Sequence, residues 1–299
     1  MRIGFFGQSG PFSTPILRYF LDYSAQFEIV LVVEGKKNQS HRMLQRLRKP
    51  RKGKIPDGNA LSDIAHAAGF MVLETCDVND PIAICTINDF NLDYIVCIGF
   101  DRLFSASVLG TAKQAINVHP SLLPQWRGPS PLFWISKSHE RNYGVSIHEI
   151  DDKEDHGVIF CQTSFDPPAH AEGATLFTIA ANTAAPLLVN VLMKLQQGRL
   201  KGIVQDDSCA TRAPRPKPED ALINSTAWDC EHLVDFCCAA PYFRTPWLRF
   251  GEEIFFIRKG IETERGRKLP GHYALIGTKL MVQCRDGIAC LEIQEPFQI

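Results

Sequence analysis

The sequence predicts an α/β protein with a Rossmann-like, mostly parallel sheet in an N-terminal domain and a smaller C-terminal β-barrel of OB-like type. Apolar strands alternate with helical segments over the first half of the chain. A polar segment with three prolines, DDSCATRAPRPKPE, interrupts this pattern, and short strands separated by turns follow it. We therefore expect a domain over 1–205, a linker over 206–219 and a small β-rich domain over 220–299.

The N-terminal half alternates between strands and helices along its whole length. Apolar strands are predicted at 1–7, 27–33, 93–100 and 115–119 and in FMVLE, and helices in ILRYFLDYSA and near 60–69 and 80–89. Strands this apolar are typical of a parallel sheet that helices cover on both faces. The first turn, GFFGQSG, lacks the spacing of GxGxxG, so a dinucleotide is not indicated.

The second half begins with an antiparallel-looking strand pair, YGVSIHEI and GVIFCQTSF, joined by an acidic connector at 151–157. A long helix is predicted from about 174 to 197, and Pro186 inside it predicts a kink or a split. Strands are predicted beyond the linker in PWLRFG, EEIFFIRKG, ALIGTKLMVQC and GIACLEIQE.

Composition excludes several classes of protein. The net charge is −1, so the chain as a whole has no field that would gather nucleic acid. No apolar run approaches the roughly 18–20 residues that span a membrane, and the N-terminus reads as a strand rather than a signal peptide. None of the ten cysteines forms a CxxC motif, so neither a metal nor a redox pair is indicated. We expect a cytoplasmic protein with reduced thiols.

Two polar residues mark the end of one predicted strand, in INVHPSLLPQWRGPSP at 116–131. Asn117 and His119 leave the same face of the strand, at the edge where parallel sheets carry their reactive groups. The acidic connector at 151–155 lies far enough along the chain to return there. Three such groups suit direct acyl transfer to an amine: an amide that donates to an oxyanion, an imidazole that moves a proton, and a carboxylate. The alternative is a turn histidine beside a solvated loop.

The segment NVHPSLLPQWRG, with an Asp 36 residues after its His, closely resembles the signature of the 10-formyltetrahydrofolate-dependent formyltransferases. That family includes methionyl-tRNA formyltransferases, sugar-nucleotide N-formyltransferases and the hydrolase domain of formyltetrahydrofolate dehydrogenase. The matching residues are Asn117, His119, Ser121, Leu122, Leu123, Pro124, Arg127, Gly128, Asp155 and Gly157. The opening strand, the IVCIGFDRLF segment, the long helix and the C-terminal region match more weakly.

The resemblance implies a role for each matched residue. Asn117, His119 and Asp155 would be the catalytic trio that passes the formyl group from N10 of the folate to a primary amine, with no metal. The resemblance places the pterin pocket at Ile98, Gly99, Phe100 and Leu103 and at Ile150 and Asp152. It assigns the loop that shapes the cleft to Ser121, Leu123, Pro124 and Arg127. For Ser121 and Arg127 we expect loop geometry rather than direct catalysis.

The acceptor is less constrained by the sequence. Segment 36–54 contains nine Lys/Arg and no acid, so it could neutralise phosphates of a tRNA or a nucleotide, or it could be a solvated basic loop. The region from 218 onward is close to balanced in charge. We expect a small amino metabolite, such as an amino-sugar nucleotide or an amino-acid derivative.

Three alternatives to a small-amine transferase stay open. The first is a methionyl-tRNA formyltransferase. The second is a 10-formyltetrahydrofolate hydrolase. The Pro120 that follows the His resembles the sequence pattern of the hydrolase domain, whereas Asn117 argues against a hydrolase. The third is a binding module that merely inherited the fold. The sequence makes no prediction of the oligomeric state.

Overall fold

The computed structural model describes residues 1–23, 26–36, 45–51, 53–58, 60–138 and 141–294. The chain divides into two compact units that exchange segments. The first comprises 1–128, 144–165 and 177–212, and the second comprises 129–143, 166–176 and 213–299. The consecutive domains proposed above, with a linker at 206–219, stay a prediction, and residues 206–212 of that segment belong to the first unit.

The first unit is built on an eight-stranded sheet. Its strands are β1 (Arg2–Gly7), β2 (Glu28–Gly35), β3 (Gln45–Arg48), β4 (Met71–Thr75), β5 (Leu92–Ile98), β6 (Ala112–His119), β7 (Gly144–Glu149) and β8 (Ile159–Ser164). Their order across the sheet is β3-β4-β2-β1-β5-β6-β7-β8. The five central strands from β4 to β6 are parallel, while β3, β7 and β8 are antiparallel to their neighbours. The prediction of a mostly parallel sheet is confirmed.

Helices follow the strands in the predicted alternation. They are α1 (Ser13–Leu21), α2 (Leu61–Ala68), α3 (Pro81–Asn88), α4 (Ala106–Leu109), α5 (Pro131–Lys137), α6 (Gly173–Gln196) and α7 (Cys230–Ala239). The core of the first unit has one apolar cluster on each face of the sheet, since Phe5 and Phe6 belong to different clusters. Burial on both faces explains why these strands read as continuous apolar runs.

The carboxyl ends of β5 and β6 lie side by side, with Cys97 opposite Asn117 in the register. The chain then reverses, so that β7 runs antiparallel to β6 and places His148 opposite Asn117. β1 lies between β2 and β5, so successive crossovers leave it in opposite directions along the sheet. Ligands of open α/β sheets bind in the crevice outside the strand ends at such a reversal.

Helix α6 runs through Pro186 as one helix, so the split that this proline suggested does not occur. By length and composition alone, this helix is also long and apolar enough to cross a membrane. No segment of that kind was predicted from the sequence. Half of the helix's apolar window is buried, and Ala180, Ala184 and Leu188 belong to the core of the first unit. These contacts are those of a core helix.

The second unit contains a five-stranded antiparallel sheet that curls into a half-barrel. Its strands are β9 (Trp247–Phe250), β10 (Glu253–Arg265), β11 (Tyr273–Ile276), β12 (Lys279–Gln283) and β13 (Gly287–Ile293). The long strand β10 pairs with β9 through its first residues and with β13 through the rest. Helix α7, capped by the Asp229 side chain on His232 N, fills the core with Leu233, Phe236 and Cys237.

The basic segment 36–54 is only partly described, since 37–44 and 52 lie outside the described residues. A solvated basic loop was one interpretation of this segment, but Gln45–Arg48 forms the edge strand β3. Lys36 pairs with Glu34 at 2.7 Å, and Arg48 pairs with Asp63 at 3.1 Å. Arg46, Lys49, Arg51 and Lys54 are exposed.

Candidate active site

Asn117, His119 and Asp155 come together at the carboxyl end of β6. Asn117 Nδ2 donates to Asp155 Oδ1 at 3.2 Å, and His119 Nδ1 lies 3.5 Å from Asp155 Oδ2. His119 is buried, and the Asp155 side chain is mostly buried, with 12% of its surface accessible to solvent. The fold therefore unites two neighbours on a strand with a carboxylate 36 residues away.

Asp155 is held in its place by the backbone of the two loops around it. Its φ of 52° lies in the left-handed region, which residues other than glycine adopt rarely. Gly128 N donates to Asp155 Oδ2 at 2.8 Å. At Gly157 a Cβ would come within 2.0 Å of Glu149 O, so glycine is required there. These contacts explain the physical need for the Asp-x-Gly and Arg-Gly parts of the motif.

The proton positions on His119 follow from its hydrogen-bond partner. Its Nε2 lies 2.9 Å from Trp126 O, and a carbonyl can only accept, so Nε2 carries the hydrogen. In the neutral ring the lone pair is then on Nδ1, which faces Asp155. A proton taken up at Nδ1 would complete an ion pair with this carboxylate.

Burial and charge set the protonation of this pair. Burial lowers the pKa of His119 below its ordinary value, and the Asp155 carboxylate opposes that shift only in part. Burial alone would raise the pKa of Asp155, but His119, His148 and the Gly128 N–H outweigh it and hold that pKa well below the usual range. Near neutral pH the site therefore contains a neutral imidazole and an ionised carboxylate.

A fourth residue, His148, completes the cluster and was not predicted. Its Nδ1 donates to Glu149 O at 2.7 Å, which leaves Nε2 to accept from Asn117 Nδ2 at 3.0 Å. The same Nε2 lies 3.5 Å from Asp155 Oδ1. The sequence did contain a signal, because His148 is the one imidazole inside the apolar strand GVSIHE, as Asn117 and His119 interrupt INVH.

The contacts of Asn117 bear on the role expected of it as an oxyanion donor. Its amide nitrogen is directed at both His148 Nε2 and Asp155 Oδ1, so both of its hydrogens are in use. A hydrogen bond from Asn117 to a formyl oxygen therefore requires the exchange of one of these two partners. That role stays a prediction.

The predicted pterin segment at the end of β5 presents backbone more than side chains. The Ile98 side chain is buried, and its carbonyl accepts from Ser13 Oγ at 2.7 Å. Gly99 turns the chain with a φ of 62°. Phe100 packs against Phe6 and Phe104, at ring distances of 6.2 and 5.4 Å. Binding of the pterin at this turn stays a prediction.

The remaining predicted pocket residues divide into two groups. Ile150 N donates to Ala115 O at 2.8 Å, which ties the start of the Asp155 loop to β6. Leu103 and Asp152 are exposed, and the Leu103 side chain is 66% accessible. Their part in binding folate stays a prediction.

The loop at 121–128 is shaped by its own hydrogen bonds. Ser121 Oγ donates to Gln125 O at 2.8 Å, and Ser146 Oγ holds both Ser121 O and Leu123 N. The Leu123–Pro124 peptide bond is cis. Arg127 is buried, and its Nη2 donates to Gln205 Oε1 and Asp207 Oδ1, both at 2.8 Å. The loop-shaping role expected for Ser121 and Arg127 stays a prediction.

No thiol in this region is suited to act as a nucleophile. Cys97 is opposite Asn117 on β5, and burial raises its pKa to about 12, so it stays a thiol at neutral pH. All ten cysteines are free. Within the described part of the chain, no group of three or more His, Cys, Asp or Glu is placed to bind a metal ion.

The family model for formyl transferases matches residues 1–192, which include every residue of the trio and its loops. The chain belongs to the formyl transferase family. It is an enzyme that uses 10-formyltetrahydrofolate as its formyl donor. The donor is a co-substrate, and its binding by the residues at the ends of β5 and β6 stays a prediction.

Similar curated proteins are methionyl-tRNA formyltransferases. The chain is 32% identical over 222 residues to the one from Synechococcus sp. (strain JA-3-3Ab), a match that covers 74% of this chain and 66% of that protein. It is 28% identical over 302 residues to the one from Chlorobium limicola, covering 98% of this chain and 90% of that protein.

Similar solved structures share the fold at low sequence identity. WlaRD, described as a sugar 3N-formyl transferase, superposes with a TM-score of 0.64 at 15% identity and 99% coverage of both chains. HypX from Aquifex aeolicus in complex with tetrahydrofolic acid gives 0.63 at 16% identity, covering 97% of this chain and 43% of that chain. The methionyl-tRNA formyltransferase from Clostridium thermocellum gives 0.59 at 16%, covering 99% and 100%.

Proposed function

We propose that this formyltransferase transfers the formyl group of 10-formyltetrahydrofolate directly to the primary amine of a small metabolite, such as an amino-sugar nucleotide or an amino-acid derivative. The new bond joins the amine nitrogen to the formyl carbon, and the bond from that carbon to N10 breaks. The amine loses a proton and N10 gains one. No covalent enzyme intermediate is needed, which suits a site whose nearest thiol stays protonated.

The trio would divide the work according to its protonation. Neutral His119 has its lone pair on Nδ1 and can accept the proton of the attacking amine. Ionised Asp155 beside it stabilises the imidazolium that forms. Asn117 would donate to the formyl oxygen as negative charge develops there, after one of its present hydrogen bonds is exchanged.

The charges of the second unit support a small molecule, rather than a tRNA, as the acceptor. The region from 218 onward holds nine Lys/Arg against twelve Asp/Glu, so its net charge is negative. Several of these cations are paired within the unit, including Arg258 with Glu292 at 3.1 Å and Lys259 with Glu172 at 2.7 Å. Binding to a nucleic-acid backbone needs cations that are free to neutralise phosphates.

Methionyl-tRNA is the second candidate acceptor, because similar curated proteins are methionyl-tRNA formyltransferases over nearly the whole chain. Arg46, Lys49, Arg51 and Lys54, which are exposed, are the described residues of the basic segment that could contact its phosphates. Against this, Lys36 and Arg48 are already paired with acids of the first unit.

An acceptor screen at a fixed concentration of 10-formyltetrahydrofolate tests the proposal. One arm contains amino-sugar nucleotides and amino-acid derivatives, one contains charged initiator tRNA, and one contains no acceptor. We expect formylated product in the first arm and little formate in the third. Rapid release of formate without an acceptor would instead establish a hydrolase.

A matched variant makes the tRNA arm decisive. Arg46, Lys49, Arg51 and Lys54 are all changed to glutamine. If tRNA is the acceptor, its affinity and the salt dependence of its binding should both decrease, since each lost phosphate contact lowers the slope by about one. If the acceptor is a small amine without phosphates, such as an amino-acid derivative, its KM should stay unchanged. We further propose that the reaction takes place in the cytoplasm, where the ten free thiols stay reduced.

A further inference from the structure

Gln205 lies in the segment that follows α6 and was not singled out by the sequence. It is buried, and its amide makes four hydrogen bonds. Its Oε1 accepts from Arg127 Nε at 3.1 Å and Nη2 at 2.8 Å. Its Nε2 donates to Asp155 O at 2.9 Å and Gly157 O at 2.8 Å. One side chain therefore connects the loop at 121–128 with the loop that carries Asp155.

The orientation of this amide is determined by its partners. If the amide were turned over, its oxygen would face two carbonyl oxygens and its NH₂ group would face the Arg127 guanidinium. Both arrangements are repulsive, because a carbonyl has no hydrogen and a guanidinium has no acceptor. Only glutamine chemistry, with an acceptor at one atom and two donors at the other, satisfies this position.

Neighbouring residues of the same segment hold the first loop. Arg127 N donates to Thr211 O at 2.9 Å, and Trp126 N donates to Thr211 Oγ1 at 2.8 Å. Trp126 is the residue whose carbonyl fixes the tautomer of His119. Residues 205–211 thus contact the backbone that positions both His119 and Asp155.

We propose that Gln205 is a positioning residue for catalysis, which holds the Asp155 backbone in its left-handed conformation so that the carboxylate faces His119 and Asn117. The two bonded carbonyls, that of Asp155 itself and that of Gly157 two residues later, fix the backbone that follows the Asp155 Cα and limit the rotation of this loop. This inference rests on the role proposed for Asp155. It requires no knowledge of the acceptor.

The test is the pH titration of His119 in the full-length protein, followed by two-dimensional NMR of its ring carbon. Burial lowers the pKa of this ring, Asp155, the Trp126 carbonyl and Glu154 raise it, and His148 lowers it. In Gln205→Met, which keeps the length but loses every hydrogen bond, Asp155 moves away from His119. The midpoint of His119 should then shift to lower pH. The control Val204→Ala, at an exposed neighbour, should leave it unchanged.

Turnover provides the second readout once the screen has supplied an acceptor. In Gln205→Met, kcat should decrease about 100-fold, as expected for a misplaced catalytic group, with little change in the KM for folate. Gln205→Glu keeps the shape and the Arg127 contact but loses both donors, so it should show the same loss of kcat and serves if the methionine variant does not fold.

A folded Gln205 variant with the wild-type His119 midpoint and wild-type kcat would overturn the proposal. A shifted midpoint in a protein that transfers formyl groups to no acceptor would support the positioning role while rejecting the proposed function. The two failures are therefore distinguishable.

Discussion

Two regions of this protein differ in chemistry. At the carboxyl end of β6, four polar side chains form one network: the buried His119 and His148 and the partly buried Asn117 and Asp155. The second unit has a groove of about 1090 Å³ beside β9, lined by Arg249, Phe250, His272 and Tyr273. The groove is roomy, but its polar side chains do not form a comparable network.

The groove side chains contact one another or the backbone of their own turn. Phe250 and Tyr273 stack at 4.7 Å, and Arg249 Nε donates to Gly251 O in its own turn at 2.9 Å. Burying polar groups as the first unit does requires every one to find a partner, since an unpaired one costs on the order of 1–3 kcal/mol. The comparison favours the polar network at the end of β6, rather than the groove, as the candidate catalytic site.

The largest effect expected is the loss of turnover on removing the proton acceptor or its carboxylate. His119→Ala and Asp155→Asn should each lower kcat about 10²–10⁴-fold, the usual contribution of a general base. Steady-state kinetics with the identified acceptor measure this, while thermal unfolding verifies that the variants stay folded. Near-normal turnover in either folded variant would contradict the proposed mechanism.

A smaller effect is expected from His148, which acts through Asn117. His148→Leu removes the acceptor for one Asn117 hydrogen and should lower kcat about tenfold, the equivalent of one hydrogen bond of ~1.4 kcal/mol. His148→Gln, which can still accept, is the matched control and should lose less. Equal kcat in the two variants would show that the contact is not what orients Asn117.

The pH dependence of kcat/KM should reveal the protonation of His119. Because burial lowers the pKa of His119, the ring is neutral at neutral pH and becomes protonated only as pH falls through this lowered value. The acid limb should therefore lie below the ordinary histidine pKa of about 6.5. In the residual activity of Asp155→Asn the limb should move lower still, because the carboxylate that favours the charged ring is gone. A limb above 6.5 would contradict the neutral ring.

Much of this site could be predicted, because the spacing of residues in a strand-end motif determines where their side chains lie. Two residues on one face of β6 are placed by the period of a strand, and Asp155 and Gly157 by a loop that glycine alone can close. His148 and Gln205 escaped because they act through register and long-range contact. His148 meets Asn117 only once β6 and β7 pair antiparallel, and Gln205 reaches Asp155 across 50 residues of chain.

The smallest effect is expected from substitutions in the groove, and these substitutions distinguish the two regions most directly. Arg249→Ala and Phe250→Ala alter side chains that line the groove but belong to the second unit. With a small amine as acceptor, kcat/KM should stay within experimental error of wild type, because the charges and hydrogen bonds of the trio are unchanged. With charged tRNA as the acceptor, the same variants should raise KM and leave kcat intact, since lost phosphate or base contacts weaken binding and not chemistry. Assaying both variants against both acceptors therefore shows whether the groove has any part in recognition, and an unchanged KM for tRNA would assign recognition to the first unit alone.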